Sequence, residues 1–353
     1  MVGGQRGRWL TPDQTPRLYR IGLQDLGTWP DGPSVECTPL TPVQGNGTVW
    51  SGAYNYNYWL ISGWGCNEPG DSNPYLFGYD GQKSVKISSQ YDAQVTWRGG
   101  DVFSITPIDS YSWLLTGHAD ATIDRKAHLE VGWIDLYLDD DDVKYRSLTD
   151  HLPCQDTGSL FASDFDPNGL FLLGGGYEQG GDLIKYDGSQ FINLEDQVRL
   201  IHGLFKPIRA IKHNGSKWLI GGEDILLEYD GANFTDLTAK MQVSLKTKFC
   251  INAIEWNNSN WVIGGGIPLA DESQYDVAWL CTYDGSTIED ISMVLQDSMR
   301  KPTKIGSSVL SLAYTSEGIV IGGFADDKAK LQLGYKDISG LIGSDMTYVH
   351  WVR

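Results

Sequence analysis

The sequence predicts an all-β chain built from repeated four-stranded sheets, and three observations carry that prediction. Glycine is abundant, at 42 of 353 residues, beside 13 Trp and 18 Tyr, the pairing of turn former and large aromatic that many short, tightly turned strands need. A continuous apolar run closed by glycine recurs along the chain. A second apolar strand follows each run, and in the clearest copies it ends in Tyr-Asp-Gly.

The best-formed copy is Trp218-Leu-Ile-Gly-Gly222, followed by Tyr229-Asp-Gly231 and Phe234. Its neighbours are Leu170-Phe-Leu-Leu-Gly-Gly175 with Tyr186-Asp-Gly188 and Phe191, and Trp261-Val-Ile-Gly-Gly265 with Tyr283-Asp-Gly285 and Ile288. Weaker copies run through Trp59–Gly63, Trp113–Gly117 and Ile319–Gly323. The closing glycines stand at 63, 117, 175, 222, 265 and 323, with spacings of 54, 58, 47, 43 and 58 residues. Those spacings are too long for most helical repeats and suit one four-stranded blade of a β-propeller each.

Each part of the repeat has a physical reason. An unbroken apolar run is what a strand covered on both faces requires. The Gly-Gly that ends it lets neighbouring backbones approach where a Cβ would clash. Asp-Gly is read as the two central residues of a type I′ hairpin turn. An innermost strand precedes each run, as in Ile208–His213, Ile251–Trp256 and Val309–Tyr314, joined to it by short turns such as 214–217 and 257–260.

An apolar run ending in Gly-Gly, then Tyr-Asp and a large hydrophobic residue, resembles the kelch repeat. Gly-Gly is intact at 174–175, 221–222, 264–265 and 322–323 and weakens to Ser62-Gly63 and Thr116-Gly117; the kelch tryptophan is here Phe191, Phe234 or Ile288. The resemblance implies a divergent kelch-like propeller over nearly the whole chain and says little of function.

Blades are expected over about 47–88, 101–150, 158–196, 206–239, 249–294 and 308–341, in a single propeller domain 1–353. A seventh is expected to combine 7–28 with 344–353: the segment 346–351 matches an innermost strand, and Trp9–Leu26 supplies the rest. Such a shared blade removes both sheet edges; a ring of six blades is the alternative.

A net charge of −18, from 27 basic and 45 acidic residues, argues against nucleic-acid and anionic-membrane surfaces, which need clustered Lys and Arg. No apolar stretch reaches the length of a membrane span. The N-terminus lacks an apolar signal core, so a cytoplasmic location is expected if Met1 is the native start. The five Cys (37, 66, 154, 250, 281) include no C-x-x-C pair, and Cys250 and Cys281 read as small core residues.

Length variation falls on one face, in the 64–74, 118–128, 176–181 and 266–276 connections and in the links 90–101 and 296–307. Long loops on a rigid scaffold are where function concentrates. Candidate binding residues there are Trp64, Tyr75, His118, Asp120, His128, Tyr177 and Tyr275. His118, Asp120, Asp124 and His128 share one insert but fit no metal-ligand spacing, so no metal and no cofactor are expected. The run Asp139–Asp142 reads as an acidic hairpin rather than a calcium loop, and the N-x-S/T sequons at 46, 214, 233 and 257 as turn composition. G-x-S-x-G, H-E-x-x-H, P-loop and dinucleotide-binding signatures are missing, as is the sialidase-type repeat Ser-x-Asp-x-Gly-x-x-Trp. The function expected on these grounds is a non-catalytic module, a monomeric ring docking a protein partner or larger complex on the long-loop face. The alternatives are a glycan- or surface-binding propeller and an enzyme with its site at the central channel mouth.

Overall fold

A computed structural model describes residues 2–4, 17–20, 38–39, 46–54, 59–66, 73–79, 84–86, 100–120, 125–133, 144–153, 158–177, 180–203, 205–267, 277–295, 306–314, 318–325, 328–335 and 348–349. Strands dominate. A three-stranded sheet joins β1 (Val2–Gly4), β2 (Arg17–Arg20) and β3 (Thr38–Pro39), and six four-stranded antiparallel sheets follow, each an uncrossed meander. They are β4 (Asn46–Tyr54), β5 (Trp59–Cys66), β6 (Asn73–Tyr79) and β7 (Ser84–Lys86); β8 (Gly100–Pro107), β9 (Ser112–Asp120), β10 (Arg125–Trp133) and β11 (Lys144–Ser147); and β12 (Ser159–Phe165), β13 (Phe171–Tyr177), β14 (Gly180–Tyr186) and β15 (Phe191–Asn193). After helix α1 (Glu195–His202) come β16 (Ile208–His213), β17 (Trp218–Gly222), β18 (Ile225–Tyr229) and β19 (Phe234–Asp236), then helix α2 (Thr238–Leu245). The last two sheets are β20 (Cys250–Trp256), β21 (Trp261–Ile267), β22 (Val277–Tyr283) and β23 (Ile288–Asp290), and β24 (Ser307–Tyr314), β25 (Gly318–Ala325), β26 (Lys328–Tyr335) and β27 (Tyr348–Val349). No described helix is long and apolar enough to cross a membrane.

The C-terminal pairing differs from the shared blade expected from sequence. Tyr348 and Val349 pair with Gln332 and Leu331, as the outer fourth strand of the last sheet. The N-terminal strands pair among themselves, Val2 with Tyr19 and Gly4 with Arg17, while Trp9–Leu10 lies outside the described residues. The apolar alternation read in 346–351 does not by itself tell an inner strand from an outer one.

The chain forms two compact units, Met1–Tyr19 with Pro39–Ile208, and Arg20–Thr38 with Arg209–Arg353. The core of the second runs between successive sheets: Leu219, Leu226, Met241, Phe249, Ile251, Ile263, Trp279 and Cys281 form one buried cluster, and Val262, Leu280, Leu295, Val309 and Ile321 another. In the first unit Leu114, Leu148, Leu160, Leu173 and Ile184 do the same.

The first and second glycines of the Gly-Gly pairs have separate reasons at Gly221, Gly264, Gly175 and Gly265. A Cβ on the first would lie 2.5 Å from Ile251 Cγ2 at Gly221 and 2.5 Å from Val309 Cγ1 at Gly264, so this glycine admits an aliphatic residue of the following innermost strand. A Cβ on the second would lie 1.8 Å from the Ser159 carbonyl at Gly175 and 1.8 Å from the Cys250 carbonyl at Gly265. That close approach comes from a β-bulge in the strand alongside, where the register shifts between Leu160 and Ala162 and between Ile251 and Ala253.

The Asp-Gly turn is not the two-residue turn expected. Four residues, Asp187–Gln190, separate Tyr186 from Phe191, and only the glycine has positive φ (+90° at Gly188, +96° at Gly231, +97° at Gly285). The Asp instead caps the turn: Asp187 Oδ1 accepts the N–H groups of Ser189 and Gln190, Asp230 Oδ1 those of Ala232 and Asn233, and Asp284 Oδ1 those of Ser286 and Thr287. The tyrosine hydroxyl closes the far side by donating to the glycine carbonyl, at 2.9 Å from Tyr186, 2.6 Å from Tyr229 and 3.0 Å from Tyr283. Phe191 and Phe234 stack on those tyrosines at 4.2 and 4.3 Å. The same device makes the turns into the apolar runs, with Asn214 and Asn257 as caps; Asn258, at φ +69°, stands where the first of these turns has Gly215. An Asx side chain mimics a backbone turn, and Asn tolerates the left-handed region.

Candidate functional site

Where they are described, the four connections read from sequence as long loops are strand residues of hairpin stems. Trp64 lies in β5 opposite Thr48 and Pro74, and Tyr75 in β6 opposite Gly63. In the next sheet His118 pairs with Asp101 and Ala127, Asp120 with Arg125, and His128 with Gly117. Strand alternation therefore sets positions 118 and 128 on opposite faces of one hairpin, so this insert does not gather its histidines. Tyr177 ends β13 opposite Gly180. Tyr275, Asp124 and the 139–142 run lie outside the described residues. His118, expected as an exposed loop residue, is only 5% exposed: the two-residue alternation of β9 turns it inward, where it stacks on Phe103 at 5.2 Å.

That contact leads to a feature the sequence reading passed over. The innermost strand carries a bulge at the same place in five sheets, with the register breaking around Trp50, Phe103, Phe161, Asn252 and Leu310. A bulge leaves one residue unpaired and re-aims its side chain, and bulges gather at rims and functional sites. In the first unit the extra residue is aromatic three times running, Trp50 in β4, Phe103 in β8 and Phe161 in β12, and these strands lie side by side. Phe103 and Phe161 are half-buried, and their rings pack at 5.1 Å and 50°.

Hydroxyl groups accompany the row. Ser51 Oγ accepts the Ile105 N–H at 3.3 Å, which ties β4 to β8. Between β8 and β12, Ser163 Oγ lies 3.2 Å from Ser104 Oγ and 2.6 Å from Thr106 Oγ1, and the threonine hydroxyl also donates to the Ser163 carbonyl at 2.9 Å. Half-buried aromatic rings and side-chain hydroxyls thus come from neighbouring positions of the same paired strands, the composition of a small-molecule recognition surface. In the second unit the bulge is polar or aliphatic. Asn252 donates to Ser308 Oγ at 2.9 Å, Leu310 is 51% exposed, and Lys212 pairs with Glu255 at 3.2 Å. The signal for the aromatic row was present in the sequence: Val49-Trp50-Ser51, Val102-Phe103-Ser104 and Leu160-Phe161-Ala162 align with Ile251-Asn252-Ala253 and Val309-Leu310-Ser311.

A second unusual group lies at the same level. Asp182 of β14 pairs with Gly175, opposite Leu160 and one residue before the Phe161 bulge. It is 9% exposed, its Oδ2 makes no hydrogen bond, and burial, with the Glu195 charge second, pushes its carboxyl up to about 7. In the next two sheets this register position holds the buried apolar residues Ile225 and Trp279, and in the other three it holds Tyr75, His128 and Lys330. Of the cysteines, Cys250 and Cys281 are free thiols; burial raises the pKa of Cys281 far above the ordinary range, which keeps it a protonated core residue.

No protein-family model and no curated protein sequence matches the chain. Solved structures do resemble it. The sialidase of Trypanosoma rangeli is 12% identical with a TM-score of 0.50, over 89% of this chain and 57% of that one, so the chain spans little over half its length. The β-propeller domain of the Trilobed protease from Pyrococcus furiosus is 9% identical over 82% of each chain at a TM-score of 0.46. A glycosyl hydrolase from Bacteroides ovatus is 9% identical over 87% of this chain and 88% of that one at 0.42. The sialidase likeness corrects the expectation of a non-catalytic chain: an enzyme shares this architecture, so lacking the signatures of other folds is no ground for reading the chain as inert. The kelch-like character of the repeat rests on its motif alone. Repeated four-stranded antiparallel meanders and this likeness together make the fold a β-propeller.

Proposed function

We propose that the chain is a carbohydrate-recognising propeller and that the bulge aromatics of the first unit, Phe103 and Phe161, with the hydroxyls of Ser51, Ser104 and Ser163, are its sugar-contacting surface. The observation that carries this reading is the pair of half-buried rings, Phe103 and Phe161, packed at 5.1 Å from neighbouring strands beside those hydroxyls. Sugar rings present C–H faces that stack on aromatics and hydroxyls that exchange hydrogen bonds with protein hydroxyls. The sialidase of similar fold lends support, since its name belongs to an enzyme of carbohydrates. The net charge of −18 favours neutral glycans over acidic ones. The long-loop face expected to dock a protein partner includes residues 67–72, 90–99, 121–124, 178–179, 268–276 and 296–305, which lie outside the described residues.

A glycan array read with labelled wild-type chain and the F103A/F161A double variant tests the proposal. Neutral glycans are expected to bind, with affinity falling at least about tenfold in the variant, as for loss of a central aromatic contact. No glycan bound, or equal binding by both proteins, refutes it. Hydrolysis of a glycosidic bond is the second reading, favoured by the sialidase likeness. Release of fluorophore from a panel of umbelliferyl glycosides, lost in the same variant, would establish it.

A further inference from the structure

The backbone nitrogen that follows an asparagine can close on that asparagine's side-chain amide carbon, and a glycine in the following position leaves the approach open. Three Asn-Gly pairs occur, at 46–47, 168–169 and 214–215, and the fold treats each differently. Asn46-Gly47 opens β4, where Gly47 is matched to Gly65 in the ladder. In the β12–β13 turn Gly169 donates its N–H to the Asp166 carbonyl at 3.0 Å, and Asn168 Nδ2 donates to Asp166 Oδ2 at 3.3 Å. A backbone carbonyl is an acceptor but no base.

The β16–β17 turn supplies what the other two lack. Gly215 donates its N–H to His213 Nδ1 at 3.1 Å, and an imidazole nitrogen that accepts is the unprotonated one, able to take a proton. The His213 ring lies against Trp218 at 4.4 Å. Asn214 Oδ1 accepts from the Ser216 N–H and hydroxyl, both at 3.0 Å, and from the Lys217 N–H at 2.9 Å. Those donors polarise the side-chain carbonyl and face the oxygen that gains charge when its carbon is attacked. Gly215 has φ of +96°, and a Cβ there would meet nothing within 4 Å, so the backbone has room to turn toward the amide. The matching turn of the next sheet keeps the cap, with Asn257 Oδ1 accepting from Ser259 and Asn260, but sets Trp256 in place of the histidine and Asn258 in place of the glycine.

We propose that Asn214-Gly215 is a self-modifying site, an asparagine that deamidates with His213 as its base. The Gly215 N–H gives its proton to His213 Nδ1 as its nitrogen bonds to Asn214 Cγ. The oxyanion on Oδ1 then collapses, the Cγ–Nδ2 bond breaks, and the leaving nitrogen takes the proton back from the imidazolium and departs as ammonia. Water opens the resulting cyclic imide at either carbonyl, giving aspartate at 214 or an isoaspartyl link. One water is consumed and one ammonia released, with no change of oxidation state. The aspartate product keeps the turn, because Asp109 and Asp166 already cap the equivalent turns of two other sheets through the same Oδ1 contacts. The isoaspartyl product lengthens the main chain by a carbon and loosens the Asn214 N–H bond to the Lys217 carbonyl. The site stands whether or not a glycan binds the first unit.

Peptide mapping by mass spectrometry, on full-length chain aged in neutral buffer, follows each Asn-Gly pair separately. In the folded wild type Asn214 is expected to convert at least roughly tenfold faster than Asn168, the lower end of what a positioned base supplies. In urea the two rates should converge. H213F keeps a ring on Trp218 without a base and should bring Asn214 down toward Asn168; H213Q, an acceptor that is no base, gives the same reading if the ring exchange disturbs the fold. N214D should melt with the wild type. Equal rates at 214 and 168 in the folded chain, a lead of Asn214 that persists in urea, or full rates in both His213 variants overturn the proposal. A lower melting temperature of N214D overturns the retained turn.

Discussion

Gly265→Ala is the sharpest test of why the repeat needs its second glycine. The added Cβ would lie 1.8 Å from the Cys250 carbonyl oxygen and 2.8 Å from Trp279 Cζ2. Carbon and oxygen settle at about 3.3 Å or more, so β20 and β21 must part by roughly 1.5 Å at the bulge, against ladder bonds on either side. Overpacking a close-packed site costs about 1–3 kcal/mol, and more where backbone has to move; the expected loss is about 3–4 kcal/mol. Two controls bracket it. Gly264→Ala meets Val309 Cγ1 at 2.5 Å, a side-chain methyl that can yield, and should cost about 1–3 kcal/mol. Gly285→Ala meets nothing within 4 Å and suffers only its φ of +97°, a cost of about 1–2 kcal/mol. Urea denaturation at unchanged m-value gives all three differences. A Gly265→Ala loss no larger than that of Gly285→Ala refutes the bulge explanation.

The remaining predictions concern the turns and the core. Removing the hydroxyl in Tyr229→Phe deletes the 2.6 Å bond to Gly231 and should cost about 1 kcal/mol in the same assay. Backbone N–H donors hold the Asp187, Asp230 and Asp284 carboxyls below their ordinary value. Their contribution is therefore complete above about pH 4 and lost as pH falls through the native values. The triple Asp→Asn variant should keep the turns, as Asn214 and Asn257 do, and flatten the melting temperature between pH 2 and 5; an unchanged acid limb counts against the capping role. Asn258→Gly relieves a φ of +69° and should stabilise by a few tenths of a kcal/mol. Cys281 should resist thiol reagents until the chain unfolds, which a labelling time course in urea will read.

What the sequence revealed of the fold were features imposed by backbone sterics. Gly175, Gly221, Gly264 and Gly265 are glycine because a Cβ has no room, and Tyr-Asp-Gly recurs because hydroxyl, carboxylate and positive φ act together in one turn. Those constraints are local, so residue identity betrays them. The candidate site was less legible. Phe103 and Phe161 are unremarkable apolar residues of a strand until the bulge between Val102 and Ser104, or Leu160 and Ala162, turns them out of the ladder. His118 reads as a loop residue because His-Ala-Asp breaks the apolar run, although β9 and β10 continue past it to Asp120 and from Arg125. Asp182 follows glycines that look like a loop, and only the register with Gly175 shows a carboxyl where the next two sheets have Ile225 and Trp279.

Amide chemical-shift mapping tests the carbohydrate reading most directly. Titration of the isotope-labelled chain with the best neutral glycan from the array should move Trp50, Phe103, Ser104, His118 and Phe161 most, and the F103A/F161A variant should not respond. Shifts centred instead on the links at 90–99 and 268–276, or no shifts at all, contradict it.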